Sequence, residues 1–138
     1  MNALHDCVVQ VQGASLGTGW WAAPGYVVTC AHVAGFTGEQ AQVTWKGQRL
    51  DGTVLDASSP PHHSGLWPYP DLAIVKIERP PTHPCARLED QLPAYHAELR
   101  AVGFSREYGD SPELTDAAFA SMGIQFFDDR PMLRLKKD

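Results

Sequence analysis

The sequence has no surplus of positive charge, no long apolar run and few cysteines, and each shortage excludes something. Sixteen acidic residues oppose eleven basic ones, a net charge of −5 with neutral His. The one basic cluster, Arg134-Leu135-Lys136-Lys137, sits at the extreme end and reads as a solvated tail. A phosphate backbone is gripped by clustered Lys and Arg, so no nucleic-acid partner is expected. No stretch approaches the roughly 18 apolar residues of a membrane-spanning helix, so no membrane partner is expected either. Met1-Asn2-Ala3-Leu4-His5-Asp6 lacks the basic and apolar regions of a secretory leader. Three cysteines, an odd number, do not make a full disulfide framework. These features predict a cytoplasmic, reduced protein with Cys7, Cys30 and Cys85 as free thiols. Charged residues are sparse at 20 % against 43 % apolar, which favours a packed domain over a disordered chain.

What is present reads as short strands. Cys7 to Gln12 is apolar and β-branched, with alternation from Val9 on. Leu16 to Ala22 follows the Gly13-Ala14-Ser15 turn, and its Gly17 and Gly19 suggest a bulge or a close backbone approach. Tyr26 to Cys30 is a third strand, and Ala31 to Gly35 has room for one helical turn. Ala41 to Lys46, Arg49 to Ala57 and Asp71 to Ile77 complete six. Before the last of these lies a long loop from Ser58 to Pro70, whose four prolines oppose regular pairing. Six short strands joined by turns suit a closed antiparallel barrel, which also disposes of exposed strand edges. The expected organisation is therefore all-β. A barrel spans 1–78, a Pro-rich linker 79–98, and the beginning of a second barrel 99–138, with strands at 99–104, 119–127 and 132–135.

Two segments stand out together. His32 follows the third strand in Tyr26-Val27-Val28-Thr29-Cys30-Ala31-His32-Val33, and Asp71 opens the sixth in Asp71-Leu72-Ala73-Ile74-Val75. Taken singly, such a His is usually a surface or satisfied core residue and such an Asp a turn former. Barrel closure brings both to one rim. A carboxylate that accepts a hydrogen bond from an imidazole fixes its tautomer and stabilises the imidazolium. The other ring nitrogen can then take a proton from a nucleophile.

With Gly17-Thr18-Gly19-Trp20 ahead of them, these segments resemble, in order, the first barrel of chymotrypsin/trypsin-like serine peptidases of the compact bacterial type. Ala101-Val102-Gly103-Phe104 is similar to the first strand of that family's second barrel. The resemblance covers roughly residues 7 to 105. It implies a peptide-bond hydrolase acting on protein or peptide substrates, with His32 as general base, Asp71 as its orienting carboxylate and no cofactor or metal. The family's Ser sits in a Gly-rich turn whose backbone N–H groups form the oxyanion hole. Nothing between Gly103 and Asp138 reads Gly-x-Ser-Gly.

Other candidates fit poorly. Ser111, in Gly109-Asp110-Ser111-Pro112, comes too soon after Gly103 and has Pro where the turn needs Gly. Ser105 reads as a turn residue, and Ser121 lacks a preceding Gly. Cys85 lies in the linker. Cys30 is expected to pack beneath His32 as a small apolar group. The expectation is a His/Asp-bearing portion of a peptidase, inactive alone, with a C-terminal segment or a second chain supplying the Ser. The alternative is a non-catalytic, protein-binding relative in which His32 and Asp71 are relics; an unrelated small β-barrel would leave the two residues far apart. His62, His63, His83 and Cys85 match no zinc spacing and suit a solvated loop. Trp67 and Tyr69 either line a substrate cleft or cap the barrel end.

Overall fold

The computed structural model describes residues 4–58, 70–105, 113–127 and 130–137. A 3-10 turn (His5–Cys7) leads into β1 (Val8–Gln12), β2 (Leu16–Ala23), β3 (Tyr26–Thr29), the one-turn helix α1 (Ala31–Ala34), β4 (Gln40–Trp45), β5 (Gln48–Ala57) and β6 (Ala73–Ile77). The six strands close into a barrel in the order β1-β2-β3-β6-β5-β4, every pair antiparallel. Alternation along the strands explains the closure. Val9 and Val11, Trp21, Val27, Val43, Val54 and Val75 all turn inward and are essentially inaccessible, while their sequence neighbours, apart from the buried Val8, are more exposed, as period-two geometry requires.

Trp21 fills the middle of this core and meets Trp45 edge-on, ring centroids 6.1 Å apart. Space beside it is tight. A Cβ on Gly19 would fall 2.8 Å from the Val27 side chain and from the Val28 carbonyl oxygen, and one on Gly17 2.7 Å from Val33. The close approach suggested by these two glycines is what the barrel wall contains.

The linker of 79–98 has little regular pairing, as its prolines predict, yet it is tied to the barrel. The His83 ring stacks on Trp21, centroids 3.7 Å apart, and its Nε2 accepts the Gly25 N–H at 3.0 Å. The Ala86 N–H donates to the Trp21 carbonyl at 2.7 Å. Beyond it, β7 (Glu98–Ser105), β8 (Glu113–Phe127) and β9 (Arg130–Lys137) form a three-stranded antiparallel sheet. β8 starts six residues earlier than the apolar pattern predicts, because pairing with the whole of β7 draws Glu113 to Ala118 into the ladder. It bulges between Ser121 and Ile124, where Gly123 adopts a φ of 86°. The sheet is tied to the barrel side through Thr18, whose Oγ1 accepts the Phe104 N–H at 2.8 Å, and through His5, whose Nε2 lies 3.0 Å from Asp116 Oδ2 of β8. Among the described residues, no helix is long and apolar enough to cross a membrane.

Candidate active site at the barrel rim

The site begins where β3 stops. Thr29 points inward and its hydroxyl donates to the Thr18 carbonyl at 2.8 Å. Cys30 keeps an extended backbone (φ −77°, ψ 143°) and its carbonyl accepts the N–H groups of Val33 and Ala34, closing the single turn of α1. Ala31, Val33 and Ala34 are buried against the barrel, so the turn holds His32 outward. Gly35, with φ 104°, ends the turn in a conformation that favours glycine. The β1–β2 turn braces it from the far side: the Ser15 hydroxyl donates to the His32 carbonyl and the Ser15 N–H to that of Val33, both at 3.2 Å.

Asp71 reaches this turn from just ahead of β6. The sequence pattern places it inside the sixth strand, but the β3–β6 ladder ends at Thr29 opposite Ala73. Asp71 therefore lies outside the pairing, and its carboxylate is free to turn to α1. Oδ1 accepts the His32 backbone N–H at 2.9 Å, and Oδ2 is in hydrogen-bond contact with His32 Nδ1. Nδ1 is thereby assigned as the protonated nitrogen, and Nε2 carries the lone pair. The His32 side chain is half exposed and that of Asp71 about a quarter. Burial pushes the Asp71 carboxyl up, but the side-chain and backbone hydrogen bonds from His32, the attraction of its ring when protonated and a bond from the Ala31 backbone outweigh this and hold it below its ordinary value. The pair can orient an imidazole, present a basic nitrogen to solvent and stabilise the imidazolium once it is protonated.

Cys30 departs from its expected place. Its thiol is exposed rather than packed beneath His32, because alternation along β3 sends Thr29 inward and the next side chain out. Burial of part of the side chain, then the charge of Asp71, raise its thiol pKa, so it is a weak nucleophile. Its Sγ, an imidazole nitrogen of His32 and a carboxylate oxygen of Asp71 lie within 4.8 Å of one another.

Ser121 does not join this group. Ser121 is fully buried in β8, its Oγ has no partner among the described residues, and its backbone pairs with His96 and Ala97. Ser105 is the last residue of β7, paired with Glu113, rather than a turn residue, because β8 extends far enough back to hold it. Ser111, His62, His63, Trp67 and Tyr69 lie outside the described residues. Cys85 Sγ is 3.8 Å from His83 Nδ1, on the linker. The sequence reading missed the bracing by Gly13 and Ser15, which looked like an ordinary turn. Only a Gly-small-Ser run just before the Gly17–Gly19 strand hinted at it.

A family model of the trypsin-like peptidase domain matches residues 17–134. No curated protein sequence matches. Among solved structures, the inactive form of the Rv3671c protease of M. tuberculosis superposes with a TM-score of 0.75 at 19 % identity, over 99 % of this chain and 68 % of that one. Deg5 gives 0.64 at 20 % identity, over 97 % and 69 %. Kallikrein-related peptidase 10 gives 0.62 at 16 % identity, over 89 % and 60 %. The chain thus spans 58–68 % of the length of the three Rv3671c structures. With the family model covering most of the sequence, on a closed six-stranded barrel, the chain belongs to the trypsin-like peptidase domain family.

Proposed function

We propose that the chain is the His- and Asp-bearing portion of a trypsin-like serine endopeptidase. His32 is the general base, Asp71 is its orienting carboxylate, and the nucleophilic Ser comes from a further segment or a second chain. One observation carries the reading: a single carboxylate holds both the backbone N–H and Nδ1 of His32. This fixes where the ring stands and which nitrogen is basic. In the reaction, His32 Nε2 takes the Ser hydroxyl proton as the oxygen attacks the scissile carbonyl carbon. The imidazolium, stabilised by Asp71, passes that proton to the leaving amine, and water then hydrolyses the acyl-enzyme with the same base. The residues present supply base and orienter. The oxyanion donors and the specificity pocket belong with the missing Ser turn, which accounts for an expected lack of activity in the isolated 138-residue chain.

The second reading, a non-catalytic protein-binding module, draws on the absence of Gly-x-Ser-Gly and the burial of Ser121. One experiment separates the two. Cleavage of a protein substrate is measured for the complete protein and for its His32→Ala variant. The peptidase reading expects a loss of at least about a thousandfold in kcat/KM. Cleavage undiminished by the substitution removes His32 from the chemistry, and no cleavage by the complete protein favours the binding module.

A further inference from the structure

We propose that Cys30, His32 and Asp71 together form a binding site for Zn2+ at the barrel rim, and that its occupancy switches His32 off as a base. The three donors belong to different chemical classes, yet their atoms converge within 4.8 Å. Cys30 and His32 flank the buried Ala31 on the outer side of the β3–α1 junction, and Asp71 is already held against that turn. A tetrahedral zinc with Zn–S near 2.3 Å and Zn–N near 2.0 Å sets its ligands roughly 3.3–3.5 Å apart. Rotation of the half-exposed His32 ring and of the exposed Cys30 side chain would close the difference, with Asp71 kept on the His32 N–H.

The donor set selects the metal. Thiolate and imidazole prefer zinc to the oxygen-seeking magnesium and calcium. A thiolate and a carboxylate bring two negative charges, which neutralise the dication. Three protein ligands leave a fourth position for water, an open site rather than a closed structural one. Among the described residues no other His, Cys, Asp and Glu side chains converge in this way. His83 and Cys85 approach each other at 3.8 Å but gain no third donor, and His83 Nε2 already accepts the Gly25 N–H.

Binding and the proposed base function exclude each other. A neutral imidazole has one lone pair. Coordination through Nδ1 requires the proton to move to Nε2, which then cannot accept one from a hydroxyl; coordination through Nε2 consumes the basic nitrogen directly. The Cys30 thiol loses its proton to solvent as the Zn–S bond forms. Metal binding rests on the geometry alone, whereas the inhibitory consequence rests on the peptidase reading given above.

The test uses Co2+ as a spectroscopic substitute on the 138-residue chain. A thiolate-to-cobalt charge-transfer band saturating at one equivalent is expected. It should be lost in Cys30→Ser, with binding weakened at least about tenfold, and retained in Cys85→Ser. As a check independent of that variant's folding, Zn2+ should protect Cys30 of the wild-type chain from alkylation. No charge-transfer band, a band that persists in Cys30→Ser, or unprotected Cys30 would overturn the proposal. In the complete protein, Zn2+ should lower kcat/KM reversibly to a chelator, and Cys30→Ser should need at least about tenfold more metal for the same inhibition. If His32→Ala leaves cleavage unchanged while the cobalt spectrum stands, the peptidase reading fails and the metal site survives.

Discussion

Gly13 has no side chain and touches no substrate, yet the geometry makes it the best place to perturb His32 from a distance. A Cβ built on Gly13 would lie 2.3 Å from the Ala34 carbonyl oxygen and 2.6 Å from that of Val33. Ordinary non-bonded contacts sit near 3.5 Å, so Gly13→Ala demands about an ångström of retreat. Both offending atoms are backbone and no rotamer change can clear them. Retreat must be made by α1, the turn that carries His32, or by the β1–β2 turn that braces it through Ser15. Forced overpacking of this kind costs about 1–3 kcal/mol, or a fall of roughly 3–10 °C in Tm for a domain of this size.

The same displacement acts on the site. An ångström of misplacement at a catalytic group costs on the order of a hundredfold in rate, so the complete protein with Gly13→Ala should lose activity well beyond its loss of stability at assay temperature. On the chain alone, nitrogen NMR of the His32 ring should show a weakened preference for the Nδ1-protonated tautomer that Asp71 enforces. Gly47→Ala is the control. Its Cβ meets nothing within 4 Å and its strain is purely conformational (φ 77°), costing about 1–2 kcal/mol with no change in the His32 signals. A Gly13→Ala chain within about 1 °C of wild type in Tm, with His32 signals unaltered, would refute the bracing argument.

Two further predictions concern single side chains. Asp71→Asn should destabilise the chain by about 1 kcal/mol at neutral pH, a charged hydrogen bond discounted for its exposure. Because the folded carboxyl is held below its ordinary value, that contribution is present above the unfolded value near 3.9 and lost as pH falls through the folded one. Urea unfolding at pH 7 and pH 3 should show the gap between wild type and variant closing in acid, and a constant gap would contradict it. Ser121→Ala removes a buried hydroxyl that has no partner among the described residues. It should leave Tm unchanged or slightly raised, with cleavage by the complete protein unaltered; a loss of activity at constant stability would place Ser121 in the chemistry after all.

The barrel was legible because its strands alternate cleanly. Val9 and Val11, Val27 and Thr29, and Ala73, Val75 and Ile77 each face the core at the spacing read from the chain. Register and edges were harder. Glu113 to Ala118 include Glu, Asp and two Ala, weak strand formers drawn into the ladder by β7 lying opposite them. Asp71 reads as the first residue of a strand, yet its contact with His32 depends on being just outside one, a distinction set by where the partner strand ends. Cys30 was misplaced for a different reason. The average habit of cysteine is burial, but the alternation of its own strand turns this one outward. The bracing at Gly13 and Ser15 joins residues about twenty positions apart, and every acceptor in it is a backbone carbonyl of α1, which side-chain patterning does not report.

The placing of Thr18 links the two halves of the chain. Its carbonyl takes the Thr29 hydroxyl, one residue before Cys30 and the turn that presents His32. Its own hydroxyl takes the Phe104 N–H, and Gly103 passes so close that a Cβ there would stand 3.1 Å from Thr18 Oγ1. One short stretch of β2 therefore sets the position of α1 on one side and of β7 on the other. In a two-barrel peptidase the base comes from the first barrel and the nucleophile from the second, and the reacting atoms must meet at about 3 Å. A joint that registers both sheets against the same residue meets that demand, with Thr18 on the barrel that carries His32 and its partners Gly103 and Phe104 on β7.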